Sequence, residues 1–270
     1  MVVRKKSFGQ HFLHDRKVMH DTARALEWRE GEQVVEIGPG TGRLTRVLLE
    51  HVPITSITAI ELDPEMIGHL AEQMPDLTVR AADAARIDWG TVVGDGPAVL
   101  VGNLPYNASA PILFNALAHR HRFRRFVFMF QRELALRLAA KPGSGDYGPP
   151  SAIVRLLAPA RYLFTVRPSA FRPPPKVDSA VLAFDPLPAP ALGVAEAEVQ
   201  PISKFIHGAF QQRRKTLRNN LRAMALDTEP ILAAAGLEGR ERPEELDLET
   251  FVVLWRASLH HALVTTPPPC

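Results

Sequence analysis

The first half of the chain alternates short apolar runs with segments whose apolar residues recur every three or four positions. The helical spacing is clear over Thr41–His51 and Ser109–Ala118, and Asp63-Pro64 is a typical helix start. The apolar runs predict buried strands at Gln33–Ile37, Ser56–Leu62, Leu77–Ala82, Pro97–Gly102 and Phe126–Phe130. Strands that alternate with helices predict a mostly parallel, Rossmann-like α/β sheet covered on both faces.

The pattern changes in the second half of the chain. Two apolar runs, Tyr162–Val166 and Val177–Phe184, have no helix between them, so we expect an antiparallel pair that closes one sheet edge. The Pro- and Ala-rich stretch Asp185–Gly193 is typical of a linker, and helices follow it, the first over Val199–Ala225. We therefore predict an α/β domain over residues 1–187 and a small helical domain over residues 188–270.

The composition is that of a globular protein, with 46% apolar and 23% charged residues in 270. The single cysteine, Cys270, excludes an internal disulfide framework and a cysteine-based zinc site. We find no signal peptide and no run near the ~18 apolar residues of a membrane span, so we expect a cytoplasmic protein without membrane contact.

Basic residues cluster although the net charge is only +3. A single cluster is compatible with a solvated face, but several clusters at a low net charge are typical of a polyanion binder. The clusters are Arg4/Lys5/Lys6, Arg120/Arg122/Arg124/Arg125 and Arg213/Arg214/Lys215/Arg218/Arg222.

A glycine-rich loop, Glu36-Ile37-Gly38-Pro39-Gly40-Thr41-Gly42, joins the first predicted strand to a helix. Glycines let the backbone turn sharply and let a ligand lie against it at a helix N-terminus. The dinucleotide pattern G-x-G-x-x-G/A fails because Arg43 occupies its last position. The spacing favours S-adenosylmethionine (SAM), with another nucleotide or a purely structural turn as alternatives.

Polar residues also end the next three strands. Glu61 suits the hydroxyls of a ribose, Asp83 suits an adenine amino group, and Asn103 follows the fourth strand. The carboxyl ends of parallel strands form the edge at which ligands bind in open α/β sheets. Glu61 serves NAD and SAM equally well and can alternatively mark a helix start, whereas Asp83, taken alone, is better explained as a residue that caps a loop.

Asn103-Leu104-Pro105-Tyr106 indicates the chemistry. An exocyclic purine amine is a poor nucleophile because its lone pair is delocalised into the ring. The Asn103 amide oxygen and the Leu104 carbonyl can accept hydrogen bonds from both N–H groups, which favours a pyramidal nitrogen. Pro105 stiffens the turn, and Tyr106 offers a face on which an unstacked base can stack. The alternative is a β-turn with an ordinary buried tyrosine.

With these motifs the chain resembles the KsgA/RsmA adenine dimethyltransferases of small-subunit ribosomal RNA. The resemblance covers about Lys6 to Trp255 and is highly specific. Besides the glycine loop, it rests on Phe8–Leu13, Ile60–Asp63, Gly102–Asn107, Phe171–Val181 and Phe210–Asn219.

The resemblance implies a class I SAM-dependent methyltransferase fold. It implies SAM as cofactor and transfer of methyl groups to the N6 atoms of two adjacent adenosines near the 3′ end of 16S rRNA. The partner would be the small ribosomal subunit, in a role in its biogenesis, and the enzyme would act as a monomer.

The resemblance also implies roles for individual residues. Phe171 would sandwich the adenine against Tyr106, and His11 stands where many relatives carry Asn, which leaves its side-chain contact open. Because His11 and His14 have no carboxylate partner pattern, we predict no metal. The SAM site would comprise His11, Leu13, Glu36, Gly38, Gly40, Gly42, Glu61, Asp83 and Asn103. The catalytic residues would be Asn103, Leu104, Pro105, Tyr106 and Phe171.

The segment Phe210–Met224, projected on a helix, places an apolar seam beside a row of basic residues. This row predicts a phosphate-binding stripe for rRNA, formed by Arg213, Arg214, Lys215, Arg218 and Arg222. The alternative is that the arginines form salt bridges, and Arg214, nearest the seam, is the one we expect to be structural.

Other functions remain as alternatives. A large-subunit rRNA adenine methyltransferase of the antibiotic-resistance type shares the glycine loop and a similar catalytic loop. A non-catalytic ribosome-assembly factor on the same fold would not need both loops intact. A nicotinamide dehydrogenase is disfavoured by Arg43.

Overall fold

The computed structural model describes residues 11–94 and 96–261. Within them the chain forms two compact units, residues 11–139 with 158–188 and residues 140–157 with 189–261. The division after residue 188 lies in the predicted linker. Residues 140–157, which the pattern placed in the first domain, group instead with the helical unit. The basic cluster Arg4/Lys5/Lys6, residues 8–10 of the family motif and Cys270 lie outside the described residues.

The first unit contains the strands of the described residues. They are β1 Phe12–Leu13, β2 Gln33–Ile37, β3 Ile57–Glu61, β4 Thr78–Ala81, β5 Ala98–Asn103, β6 Phe123–Gln131, β7 Ala160–Val166, β8 Phe171–Arg172 and β9 Ser179–Phe184. The main sheet has the order β4-β3-β2-β5-β6-β9-β7, and a separate short pair joins β1 to β8.

The sheet topology confirms the predicted fold class. Strands β4, β3, β2, β5 and β6 are mutually parallel, and β9 pairs antiparallel with both β6 and β7. The edge pair is antiparallel because only a short proline-rich connection, not a crossover helix, joins its strands. Strand β6 begins at Phe123, three residues earlier than predicted. Arg124 and Arg125 interrupt the apolar run in the sequence, so the pattern placed them outside the strand. In the fold their charges are neutralised by ion pairs, which lets them occupy strand positions.

The helices of the first unit are α1 Arg16–Ala25, α2 Arg43–Leu48, α3 Pro64–Gln73, α4 Ser109–Ala118 and α5 Arg132–Ala139. Helix α4 has the predicted bounds, whereas α2 is shorter than the predicted Thr41–His51 because the glycine loop extends to Gly42. Helix α3 begins at the predicted Asp63-Pro64, where Asp63 accepts from the Glu65 amide at 3.0 Å. Asp15 caps α1 in the same way, accepting from the Val18 amide at 3.1 Å.

The helical unit corrects one prediction, that of a single helix over Val199–Ala225. The chain leaves the helix after Ala209 and re-enters it at Leu217. The helices of this unit are α6 Pro149–Leu157, α7 Val199–Ala209, α8 Leu217–Ala223, α9 Thr228–Ala234 and α10 Leu248–Ser258.

Asn220 is the physical reason for this break. Its side chain is completely buried, accepts from the Gln212 amide at 2.9 Å, and donates to the carbonyls of Gln212 and Thr216. These bonds satisfy backbone groups that a continuous helix would pair internally. Residues 210–216 therefore form a turn, which we call the basic turn because it carries Arg213, Arg214 and Lys215.

A buried carboxyl group ties β2 to α2 beneath the glycine loop. Glu36, at 1% exposure, accepts from the Thr45 hydroxyl at 2.6 Å. Burial raises the pKa of Glu36 to about 7; the Thr45 hydrogen bond opposes the shift and the Glu61 charge adds to it.

The raised pKa of Glu36 makes stability depend on pH. The folded state holds the proton up to about pH 7, whereas the ordinary value is 4.5. The protonated Glu36 side chain therefore makes its full contribution to the free energy of unfolding below pH 4.5, and this contribution is lost as the pH rises to about 7. Glu36→Gln keeps an acceptor for Thr45 but has no charge to bury. We therefore expect its free energy of unfolding to rise, relative to that of the wild type, by up to about 3 kcal/mol as the pH increases across this window.

Thermal and urea unfolding between pH 4 and 8 measure this difference. Glu72→Gln, at an exposed glutamate, is the matched control, for which we expect no such trend. A stability difference between Glu36→Gln and the wild type that stays constant with pH would contradict the assignment.

Candidate active site

A cavity of about 460 Å³ opens at the carboxyl ends of β2, β3 and β5. This volume lies in the range of small-molecule sites. The predicted residues that line it are His11, Leu13, Glu36, Gly38, Gly40, Glu61, Asp83, Asn103, Leu104, Pro105 and Tyr106. The sequence therefore located the cavity, whereas Gly42 and Phe171 do not line it.

The glycine loop forms one wall of the cavity. Gly38 and Gly40 have φ values of 66° and 54°, a left-handed conformation that other residues rarely adopt. A Cβ on Gly40 would also lie 3.2 Å from Cε1 of Phe12. The backbone of this loop is thus open to a ligand only because side chains are absent.

Gly42 serves the fold rather than the cavity. Its φ is 73°, and a Cβ there would lie 2.2 Å from Cε of Met74 and 3.0 Å from Cδ2 of Leu70. The glycine lets the N-terminus of α2 pack against the end of α3. Its predicted place among the cofactor contacts is therefore corrected to a packing role.

Glu61 connects β3 to the glycine loop. Its Oε2 accepts from the Gly40 amide at 3.1 Å, and its Oε1 accepts from the amides of Leu62 and Asp63, both at 2.9 Å. A carboxylate has about four acceptor sites, so about one remains for a ligand. Glu61 can hold one ribose hydroxyl strongly, and its second role is to fix the loop.

Asp83 caps a turn and also lies on the cavity wall. Its Oδ1 accepts from the Ala85 amide at 2.9 Å, which caps the turn after β4, and Oδ2 lies 3.9 Å from Nε of Arg86. The residue also lines the cavity. Oδ2 is thus the atom that can accept from a ligand.

The N-terminal strand brings His11 to the end of β5. The Asn103 side-chain amide donates to the His11 carbonyl at 3.3 Å, which leaves Oδ1 as an acceptor. Nδ1 of His11 lies 2.9 Å from the Pro173 carbonyl. Pairing of Phe12 with Arg172 and Leu13 with Phe171 fixes the segment in this position.

Tyr106 is held at both ends. Its hydroxyl lies 2.6 Å from Oγ of Ser179, and its carbonyl accepts from the Ser109 hydroxyl at 3.1 Å. Burial raises the pKa of Tyr106, against the Ser179 hydrogen bond, so the side chain stays a neutral phenol at neutral pH.

Phe171 departs from its predicted role as the second stacking ring. It is 2% exposed and belongs to the apolar core with Leu13, its partner across the β1–β8 pair. The ring beside Tyr106 is that of His11, with centroids 5.7 Å apart and planes tilted by 32°. A base between two rings needs about 7 Å, so these rings do not sandwich one as they stand.

The residues present fit SAM. One cavity of suitable volume is lined by glycine backbone in a left-handed conformation, by the carboxylates of Glu61 and Asp83, and by the Asn103 amide. Sequence reasoning missed Ser179, Ser109 and Thr45, which fix these groups. Ser179 lies within the motif Phe171–Val181, and no local pattern indicates the role of the other two.

The predicted phosphate-binding residues differ in their contacts within the helical unit. Arg213 donates to the carbonyls of Gly145 at 2.8 Å and Tyr147 at 3.4 Å. Arg218 pairs with Glu229, and Arg222 lies 4.0 Å from the same carboxylate.

Arg214 and Lys215 are exposed on the basic turn. In the part of the chain that the structure describes, no ion pair involves either residue. Arg214, expected to be structural, is thus available to a ligand, whereas Arg218, expected on the stripe, is tied to Glu229.

Three arginines of the basic cluster at residues 120–125 are paired or buried within the first unit. Arg124 pairs with Glu32, Arg125 lies 2.9 Å from Asp185, and Arg120 is 1% exposed. Arg124 and Arg125 thus hold the start of β6 to acidic residues elsewhere in the first unit, and the three arginines do not form an open basic surface.

Among residues 11–94 and 96–261, no group of three or more His, Cys, Asp or Glu side chains is placed to bind a metal ion. No helix in these ranges is long and apolar enough to cross a bilayer.

Sequence comparison identifies relatives over nearly the whole chain. The family described as ribosomal RNA adenine dimethylase matches residues 2–238. A Laribacter hongkongensis protein named ribosomal RNA small subunit methyltransferase A is 42% identical over 255 residues, covering 93% of this chain and 94% of that protein. A Pseudomonas aeruginosa protein of the same name is 41% identical, covering 93% and 92%.

Structural comparison gives the same fold. A dimethyladenosine transferase from Plasmodium falciparum superposes with a TM-score of 0.74 at 24% identity, covering 90% of this chain and 96% of that one. The 23S rRNA methyltransferase ErmE superposes with a TM-score of 0.70 at 25% identity, covering 92% and 99%. The resemblance inferred from the motifs is confirmed, and the chain belongs to the ribosomal RNA adenine dimethylase family.

Proposed function

We propose that the protein transfers methyl groups from SAM to the N6 atoms of two adjacent adenosines near the 3′ end of 16S rRNA. The observation that carries the proposal is that Asn103, Leu104, Pro105 and Tyr106 line the same cavity as the glycine loop. A cofactor on the loop and an amine at Asn103 would meet in one site. The proposal has the enzyme act in the cytoplasm, as a monomer, in the biogenesis of the small subunit.

The names of the relatives favour the small subunit over the large one. Proteins 41–42% identical over almost their full length are small-subunit methyltransferases, whereas ErmE, a 23S enzyme, is 25% identical. Intact cofactor and catalytic loops favour an enzyme over a non-catalytic assembly factor.

Side chains and backbone of the cavity would hold SAM together. Glu61 would accept from a ribose hydroxyl at Oε2, Asp83 from the adenine amino group at Oδ2, and the backbone at Gly38 and Gly40 would lie against the ligand. When bound, SAM supplies a methyl group on a positively charged sulfur, so no nucleophilic side chain is needed.

The catalytic loop would orient the target amine. Oδ1 of Asn103 and the carbonyl of Leu104 would accept its two N–H groups, and the Tyr106 ring would stack on the base. The Leu104 side chain is buried, so only its backbone can serve. Catalysis then comes mainly from position and from electrostatic support at the amine, whose proton becomes acidic only after methylation.

The basic turn would bind the rRNA backbone through Arg214 and Lys215. Exposed cations that are not neutralised by neighbours are the ones that can release counterions from phosphates. Arg213 would act by holding the turn to the loop at Gly145, and Arg218 and Arg222 share the carboxylate of Glu229.

Radiolabelled methyl transfer tests the proposed function. We expect label from SAM on unmethylated small subunits, mapped to dimethyladenosine at two adjacent positions, and none on large subunits. Label on the large subunit would favour the antibiotic-resistance type of activity. No label on either subunit or on free RNA would favour an assembly factor.

Replacement of Asn103 tests the amine contact. We expect Asn103→Ala to reduce the rate of methyl transfer about 100-fold or more, because one positioned acceptor at the reacting atom is lost. SAM affinity, measured by calorimetry, should fall only partly. Gln73→Ala, which removes an exposed side-chain amide that does not line the cavity, is the control. Near-wild-type turnover of Asn103→Ala would exclude the acceptor role.

Removal of charge from the basic turn tests RNA binding. We expect Arg214→Ala/Lys215→Ala to bind small subunits about tenfold more weakly and to lower the salt slope of binding by about 2, with SAM affinity unchanged. The control Lys17→Ala/Arg24→Ala removes the same charges from exposed positions on α1. Equal binding by both double variants at several salt concentrations would refute the role of the turn.

A further inference from the structure

The hydroxyl of Ser179 contacts the ring that would stack on the target base. We propose that Ser179 is a positioning residue, which fixes the Tyr106 ring in the plane required for stacking. The inference rests on the proposed function for the stacked base, but the bond itself is a property of the free protein. Its two oxygen atoms are 2.6 Å apart.

Ser179 is a rigid anchor. It is the first residue of β9, a strand paired on both sides, and it lies opposite Gln131 of β6 and Val166 of β7. Its side chain is completely buried. A hydroxyl on a doubly paired strand has little freedom to follow a moving ring, so it determines where the ring tip lies.

Tyr106, in contrast, lies in the loop between β5 and α4 and is only half-buried. Its backbone is fixed, since its carbonyl accepts from Ser109 and the Pro105 carbonyl accepts from the Ala108 amide at 3.0 Å. With the backbone at one end and the hydroxyl at the other both bonded, neither side-chain torsion is free. Without Ser179 the ring would be fixed at one end only.

A fixed ring has a direct consequence for the reaction. Because the ring is ordered before the base arrives, the amine of the stacked base stays aligned with the methyl group during transfer. The contact therefore acts on the rate of the chemical step and leaves the affinity for SAM and for the subunit nearly unchanged. A role limited to folding would change stability without this selectivity.

The effects of replacing Tyr106 and Ser179 should depend on each other, because the two hydroxyls share one hydrogen bond. A buried hydroxyl needs a partner, so removal of either oxygen breaks the same bond. Ser179→Ala and Tyr106→Phe should each reduce the single-turnover rate at saturating SAM by about 3- to 10-fold. The double variant should be no slower than the slower single variant. Tyr106→Ala, which removes the platform, should be far slower than all three.

Fluorine NMR tests the bond independently of catalysis. The chain has three tyrosines, so labelling with 3-fluorotyrosine gives few signals, and Tyr106→Phe assigns that of Tyr106. We expect Ser179→Ala to shift the Tyr106 signal and to leave the other two in place. Ser151→Ala, which removes an equally buried hydroxyl from the helical unit, should change neither the signal nor the rate.

The outcomes separate the two proposals. The positioning role would be overturned by any of three results: an unshifted Tyr106 signal, a wild-type rate for Ser179→Ala, or reductions in rate that multiply in the double variant. Weaker SAM binding by Ser179→Ala would also overturn it, because the hydroxyl would then act on the cofactor site. A shifted signal in a wild-type protein that methylates no RNA would contradict the proposed function and leave the Tyr106–Ser179 bond established.

Discussion

The hydrogen bond from the Gly40 amide to Glu61 is the contact on which the cavity depends. It joins the end of β3 to a loop whose glycines adopt a left-handed backbone, a conformation that local sequence permits but does not enforce. Glu36 stabilises the same loop because its hydrogen bond from Thr45 joins β2 and α2, the two elements that flank the loop. Because both carboxyl groups lie at the carboxyl edge of one parallel sheet, their position follows from the register of β2 and β3. The price of this arrangement is a buried acid, whose raised pKa reflects the cost of charge in the interior.

The opposite wall of the cavity is built by the same means. Asn103 and Tyr106 follow β5, yet their side chains are held by residues from other parts of the chain, His11 and Ser179. The polar groups of the site are thus fixed before any ligand arrives. A reaction that needs no nucleophile depends most on such fixed geometry, because position and electrostatics are then the main sources of rate. The helical unit follows the same rule, since buried Asn220 shapes the basic turn and directs Arg214 and Lys215 outward.

Sequence reasoning succeeded where the signal is local. The apolar periodicity predicted the parallel strands and the antiparallel edge pair, and Asp63-Pro64 marked a true helix start. It failed at Val199–Ala225, because a helical pattern of apolar residues does not show that a buried asparagine competes for the backbone. The family resemblance also assigned Phe171 to the adenine site, since an aromatic residue in a sequence motif gives no indication of whether its ring faces a ligand or the core.

The sequence by itself determined the fold class, the family and the edge of the sheet at which the site lies. These features depend on periodicity and on short motifs, which are readable within one element. Only the tertiary structure decided that Gly42 packs against α3, that His11 and not Phe171 stands beside Tyr106, and which arginines are neutralised. The reason is physical. Such contacts join residues far apart in the chain, and their geometry is set by strand register and burial, which no local pattern records.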